Sequence, residues 1–354
     1  MNGHPAPCRK QAWQRSLPLV LLALLAILVV GSLVLSGCGS TSATTTSSGA
    51  TTTTTSGGAT ATTAATVAAV STTAVTQLAE GTFPVTVTDD DKNSVTITAK
   101  PMRIVSTAPA NTETLFALGV GDRVVGVTTL DDYPPEATKI AKVGDYKLNP
   151  EAVVALSPDL VVGYSGNEEA LAPLQKNGVP VLIFNPTNLD GIYANITTLG
   201  AATGATGKAA ALVESIKAQI KSISDAAAAT ATSPKVFYAV DNTLWTAGPG
   251  SFVDQLLTLA HATNVAATAS GAKAFYQFAP EQLVASDPDV ILLPKSMYKT
   301  DADVAAFTKD PRFAGLSAVK NNRVVVVDDV IVTRPGPRIG DGLQILADAI
   351  HPTP

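Results

Sequence analysis

The sequence predicts an α/β protein of two Rossmann-like lobes joined by a single long α-helix. Three observations predict it. The stretch Pro150-Glu151-Ala-Val-Val154-Ala155-Leu-Ser-Pro158-Asp159-Leu-Val-Val returns as Pro280-Glu281-Gln-Leu-Val284-Ala285-Ser-Asp-Pro288-Asp289-Val-Ile-Leu. Each copy reads as a short helix, a Pro-Asp turn and a strand buried on both faces, and a long-period echo of one unit implies two lobes on one plan. Helical and strand patterns also alternate along the chain, with Val- and Ile-rich strands of the kind found in covered parallel sheets. Finally, Thr206 to Ala228 contains no proline and no glycine beyond Gly207, and Leu212, Ile216, Ile220 and Ile223 form one apolar stripe. Such a helix is either an ordinary surface helix of one large sheet or a stiff connector. Its place between the two copies favours the connector.

The elements follow in order. Arg9, Lys10 and Arg15 precede an uncharged apolar run from Leu17 to Leu35, the pattern of an export signal, so residues 1–37 are set aside from the fold. The run ends in Leu35-Ser36-Gly37-Cys38, which resembles the lipobox of bacterial lipoproteins and would put lipid on Cys38. An uncleaved transmembrane helix is the alternative, because the run is nearly long enough to span. Either way the rest of the chain is attached to the outer face of the cytoplasmic membrane. The only other cysteine is Cys8, so the domain is held by its core and not by a disulfide. Residues 38–77 are almost entirely Thr, Ser, Ala and Gly, a composition too poor in apolar surface to fold, and read as a tether or, alternatively, a glycosylated or adhesive tract.

An N-terminal lobe is expected over residues 78–205, a linker helix over 206–231 and a C-terminal lobe over 232–354. Val85-Thr-Val-Thr and Val95-Thr-Ile-Thr alternate around Asp89-Asp90-Asp91-Lys92-Asn93 as a hairpin. Ile104-Val105 starts the first core strand. Leu115, Phe116 and Leu118 then mark a helix, with Asn111 or Thr112 as its cap and Gly119 as its end. Val124 to Val127 and Val179 to Phe184 are further strands. The second lobe restarts at Lys235 and continues through Trp245-Thr-Ala-Gly, a helix from Phe252 to Leu259, the second copy, a strand from Arg323 to Asp328 and a closing helix from Arg338 to Ile350.

No catalytic arrangement emerges. Gly163-Tyr164-Ser165-Gly166 brings its second glycine one residue too early for a nucleophile elbow. Gly204-Ala-Thr-Gly207-Lys208 lacks the first glycine and final hydroxyl of a phosphate loop, and reads as a break between helices. His261 and His351 stand far apart in sequence and read as surface or packing residues, which argues against a transition-metal site. The formal charge of −5 without a basic stripe argues against nucleic acid. There remain aromatics where strands pass into loops, namely Tyr133, Tyr146, Tyr164, Trp245, Phe275, Tyr276 and Phe278. In α/β lobes such loops form the ligand crevice, so these side chains suit a flat or bulky ligand, with about half expected to cap their own lobe's core.

Several stretches resemble the cobalamin and iron-siderophore substrate-binding proteins of ABC importers. They are Arg103-Ile-Val-Ser-Thr-Ala-Pro109-Ala110-Asn111-Thr112-Glu113, Asp132-Tyr133-Pro134-Pro135, Asn149-Pro-Glu151 through Pro158-Asp159-Leu160, Pro280-Glu281-Gln282 and Arg334-Pro-Gly-Pro-Arg338-Ile. The resemblance spans about Pro84 to His351 and implies a class III periplasmic-binding fold, with ligand between lobes that move little on binding. It implies ligand contacts from Ala110, Tyr146, Tyr164, Gly166, Phe275 and Asp329, to which Tyr133, Trp245, Tyr276 and Arg334 are added. It also implies docking of Glu151 and Glu281 onto arginines of a permease dimer with its ATPase.

Leu130 replaces a tyrosine common before the Asp-Tyr-Pro-Pro motif, and Tyr or Phe replaces tryptophans at some cleft positions. The expectation is a monomeric, non-enzymatic binding protein without a cofactor of its own, whose ligand is a cobalt corrinoid such as cobalamin or an iron chelate. A ferric siderophore, with Lys147 and Arg334 as candidate partners for its charge, and haem, with Tyr146 or Tyr164 as axial ligand, are the alternatives. A sensor, an adhesion module or a chelatase-like enzyme ranks lower.

Overall fold

The computed structural model describes residues 80–269 and 271–352, so the export signal, Cys38 and the tether up to residue 77 lie outside the described residues. The described chain opens with the expected hairpin, β1 (Val85–Thr88) paired antiparallel with β2 (Ser94–Ile97). A five-stranded parallel sheet follows. Its strands are β3 (Ile104–Ser106), β4 (Val124–Val127), β5 (Ala141–Lys142), β6 (Leu160–Tyr164) and β7 (Val181–Phe184), in the order β5-β4-β3-β6-β7. Helices α1 (Pro109–Ala117), α2 (Pro150–Ala155), α3 (Glu168–Lys176) and α4 (Leu189–Thr203) connect or follow them.

Proline at the first position starts α1 and α2, and the side chains of Asn149 and Asn188 accept amide hydrogen bonds from Ala152 and Gly191 at the starts of α2 and α4. Contrary to the expectation from sequence, neither Asn111 nor Thr112 caps α1, whose N-cap is Ala108. Both lie inside the helix, where the Asn111 amide donates to the Gly163 carbonyl (2.9 Å) and the Thr112 hydroxyl to Ser106 Oγ (2.7 Å). Tertiary partners, not the helix's own amides, claim those side chains.

Gly204, left-handed at φ 76°, ends α4 and turns the chain into α5 (Thr206–Ala228). This is the long helix read from sequence, though it ends before residue 231. Its buried stripe is Ala209, Val213, Ile216, Ile220, Ile223 and Ala227, with Leu212 at the edge. Close packing of α4 on α5 depends on Gly200, where a Cβ would come 2.3 Å from that of Ala209.

The second sheet has four parallel strands, β8 (Lys235–Tyr238), β10 (Thr263–Asn264), β12 (Val290–Pro294) and β13 (Val324–Val327), in the order β10-β8-β12-β13. A separate antiparallel pair joins β9 (Trp245–Ala247) to β11 (Phe275–Gln277). The helices here are α6 (Phe252–Leu259), α7 (Pro280–Ser286), α8 (Asp301–Thr308), α9 (Ser317–Lys320), α10 (Asp329–Val332) and α11 (Ile339–Ile350). One apolar cluster runs from the first sheet through α4 and α5 to α6, α11 and the second sheet, and the outer face of each sheet has a cluster of its own. The sides of α5 thus carry both lobes.

The repeat acquires a physical meaning here. The Asp159 carboxylate accepts from the backbone amides of Met102 and Arg103 (2.8 Å each), just before β3, and the Asp289 carboxylate accepts from the Lys235 amide (2.8 Å) at the start of β8. In return the Arg103 guanidinium donates to the Leu156 and Ser157 carbonyls, and Lys235 Nζ to the Ser286 carbonyl, satisfying orphan carbonyls at the ends of α2 and α7. Each helix then turns through a non-glycine left-handed residue, Ser157 (φ 45°) or Asp287 (φ 39°). The Pro-Asp motif is therefore a clamp that fixes each helix-strand unit to its sheet.

Candidate functional site

A cavity of about 790 Å³ opens between the lobes, within the usual range for a ligand site. The first lobe's wall comes from segments beyond the carboxyl ends of all five strands. They are 107–111 after β3, Thr129, Leu130 and Asp132 after β4, Asp145 and Tyr146 after β5, 164–167 at the end of β6, and Phe184 at the end of β7 with Pro186 beyond it. Ile192, Ile196 and Leu199 of α4 give an apolar side. The second lobe adds Ser296 after β12 and residues 329–330 and 333–335 after β13. This is the crevice that parallel α/β topology creates.

Two tyrosines face it. Tyr146 is 87% exposed on a loop tied by hydrogen bonds from Thr129 N to Gly144 O (2.8 Å) and from Asn149 N to Val143 O (2.8 Å). Gly144, at φ 125°, lets the chain fold so tightly that a Cβ there would sit 2.4 Å from the Lys147 carbonyl. Tyr164 ends β6 and is also exposed.

At the edge of the cavity an ionic cluster crosses between the lobes. The Glu113 side chain, on α1 and only 1% exposed, accepts from Arg338 Nε (2.8 Å) and Nη2 (2.6 Å) and from Arg334 Nη1 (2.8 Å). Arg334 Nη1 also donates to Asp132 Oδ1 (2.7 Å), and the Arg338 guanidinium lies 4.0 Å from the Tyr133 ring centroid. Burial alone would lower Arg334, but its hydrogen bonds to Glu113 and Asp132 and their charges outweigh that and hold it raised. The hydrogen bond from Arg338 to Glu113 does the same for Arg338, against its burial. Beside the cluster Gly336 packs on α1, where a Cβ would meet the Ala110 carbonyl at 3.3 Å.

Behind the wall, Asp131 is buried and its Oδ2 accepts from the Thr128 amide (2.9 Å) and hydroxyl, while Oδ1 has no hydrogen-bond partner among the described residues. Burial pushes this carboxyl above its ordinary range, against the opposing influence of Thr112, Thr128 and Lys142. A carboxyl raised on folding takes up a proton, so its contribution to stability is greatest below about pH 4 and is lost as pH rises through the raised folded value. Asp131→Asn keeps an acceptor for Thr128 and removes the buried charge. Its thermal midpoint is expected above that of the parent at pH 7, the gap closing towards pH 4; a gap independent of pH would contradict this account.

Of the residues singled out from sequence, the structure brings Ala110, Tyr146, Tyr164, Gly166, Asp329 and Arg334 into the cavity wall. Asp329 is already engaged, accepting from Ser296 N (2.8 Å) and Oγ (2.7 Å). The wall does not include Tyr133, Trp245, Phe275 or Tyr276. Tyr133 lies under Arg338, and Trp245 and Phe275 stand partly exposed on the β9–β11 pair. Tyr276 packs on Phe278 and donates its hydroxyl to the Ala266 carbonyl (2.6 Å), and Phe278 is buried in the second lobe's core. Arg334, read as a candidate counter-charge for an anionic ligand, is instead paired with two carboxylates, and Lys147 is exposed outside the wall. His261 and His351, distant in sequence, stack with ring centroids 6.4 Å apart.

The Glu113 cluster was missed from sequence, although the two arginines four residues apart in Arg334-Pro-Gly-Pro-Arg338 were a signal for one shared acid. Among the described residues no three of His, Cys, Asp and Glu come together as metal ligands, and no helix is long and apolar enough to cross a membrane.

Two α/β lobes on one long helix, with a ligand-sized cleft at their strand ends, define a class III periplasmic-binding fold. The family described as periplasmic binding protein matches residues 104–331, and the chain belongs to it. It is 39% identical to the uncharacterised ABC transporter substrate-binding lipoprotein YvrC of Bacillus subtilis over 76% of this chain and 86% of that protein. A cobalamin-binding protein of Halobacterium salinarum is 31% identical over 77% of this chain and 75% of its own length. A solved periplasmic haem-binding protein from Pseudomonas aeruginosa superposes with a TM-score of 0.63 at 28% identity, covering 72% of this chain and 94% of that one.

Proposed function

We propose that this protein captures a metal chelate outside the cytoplasmic membrane and delivers it to an ABC importer, and that the chelate is a corrinoid such as cobalamin. One observation carries the choice of ligand. The only cation in the cavity wall among the described residues is Arg334, and Glu113 and Asp132 already neutralise it. A corrinoid presents a ring of uncharged amides, which suits tyrosine faces and the polar side chains of Ser165, Asn195 and Thr129. A polyanionic ferric siderophore or the propionates of haem would call for an unpaired Arg or Lys there. The cobalamin-binding relative supports the same reading.

Haem is the second reading, favoured by the two exposed phenols of Tyr146 and Tyr164 and by the haem-binding structural relative. Absorption titration of the purified protein with cyanocobalamin, a ferric hydroxamate and haemin tests all three ligand classes. Saturable binding of cyanocobalamin is expected, a tyrosinate-ligated ferric haem band would replace the corrinoid by haem, and failure to bind any of them would overturn the function. Tyr146→Ala and Tyr164→Ala are each expected to weaken the bound chelate about tenfold through loss of ring contact. Unchanged titrations would remove the tyrosines from the site.

In this reading Cys38 carries the lipid that retains the protein at the membrane, residues 38–77 are the tether, and the domain acts as a monomer. Permease docking falls to Glu151 and Glu281. Both are exposed, and neither makes a hydrogen bond or ion pair among the described residues. Because α2 and α7 each lead through a short turn into a core strand, their first residues lie towards the strand ends that carry the cleft.

A further inference from the structure

The two copies of the repeat match in their surfaces as well as in their strands. From Glu151 and Glu281 onward, nine of ten positions have the same degree of burial. Within the helices identity is kept at the outward-facing positions, and the buried Pro158 and Pro288 that follow are identical as well. Glu151, Val154 and Ala155 are exposed on α2, and Glu281, Val284 and Ala285 on α7. The buried position between them varies, being Val153 in one lobe and Leu283 in the other. A β-branched residue lowers helix propensity, and on an exposed face it gains nothing from packing. Yet Val154 is 50% and Val284 47% exposed, placing both among the few large apolar side chains left in solvent. Each lobe thus carries a half-exposed valine one turn after an exposed glutamate that makes no hydrogen bond or ion pair among the described residues.

We propose that Val154 and Val284 are a matched pair of apolar anchors for the two subunits of the importer's permease, each seated beside the glutamate of its own lobe. The assignment rests on the docking reading given above and extends it to named non-polar contacts. Two like patches, each one carboxylate, one valine and one flat alanine, fit a partner that itself offers two like surfaces with a cation next to an apolar hollow. The carboxylate steers and orients, and the valine, desolvated on contact, holds.

The test uses the full chain and its permease–ATPase complex in lipid nanodiscs, with equilibrium association measured for the parent, Val154→Ala, Val284→Ala, the double variant and the double charge reversal Glu151→Lys/Glu281→Lys. Alanine favours the helix and is exposed at both positions, so melting temperature and chelate affinity should be unchanged. Each Val→Ala substitution is expected to weaken association about tenfold, from loss of two buried methyl groups, with the two losses alike. Association of the double valine variant at parental strength overturns the proposal, and so does a loss confined to one lobe. If the valine variants bind normally while the charge reversal does not, the glutamate docking reading stands without the anchors. If neither weakens association, that reading falls as well.

Discussion

Glu113→Ala is expected to destabilise the protein by about 3 kcal/mol, the scale seen when one partner of a buried ion pair is removed. The carboxylate is almost fully enclosed and accepts three guanidinium hydrogen bonds from two arginines of the other lobe. Among the described residues its removal leaves Arg338 with the Tyr133 ring and the more distant charge of Asp132, and Arg334 with the more exposed Asp132. Urea denaturation followed by circular dichroism measures the loss. In a double-mutant cycle with Arg338→Ala the two effects should fall short of additivity by at least about 1 kcal/mol, since either change breaks the same contact. Full additivity would show that the contact contributes little.

The second large effect is on transport. If Glu151 and Glu281 dock the permease as proposed, charge reversal at both is expected to reduce uptake by more than about a hundredfold, because each lysine would then face the cation that pairs with the carboxylate. Chelate affinity should stay within about twofold, since neither residue belongs to the cavity wall. Uptake by cells or proteoliposomes, set beside an absorption titration of the same variant, separates the two quantities. Loss of chelate binding would contradict the docking role, and a single reversal should give an intermediate defect.

The features legible in the sequence were those written in local pattern. The stripe on α5 repeats every three to four residues without a proline, and the helix occupies Thr206–Ala228, three residues short of the expected end. The repeated motif announced two sheets because its helix, turn and strand are contiguous, although the clamp that Asp159 and Asp289 make on the neighbouring strand was not visible in it. The β9–β11 pair escaped notice because each strand is only three residues long and its partner is distant.

The aromatics divided for a similar reason. Whether a tyrosine meets the cavity, as Tyr146 does from its loop, or packs on its own core, as Tyr276 does from β11, depends on contacts across the lobe and not on its neighbours in sequence. The Glu113 cluster joins residues more than two hundred positions apart, and only the spacing of its arginines hinted at it.

That cluster, with Gly336 seated against Ala110, has a consequence for traffic through the importer. If these contacts persist when ligand is bound, lobes pinned together beside the mouth of the cleft would present nearly the same outline whether the cleft is full or empty. The permease would then have little by which to reject an unloaded molecule, and every empty copy becomes a competitor for the landing site. Import would depend on the ratio of loaded to empty protein at the membrane, so that overproducing the protein when chelate is scarce would slow uptake.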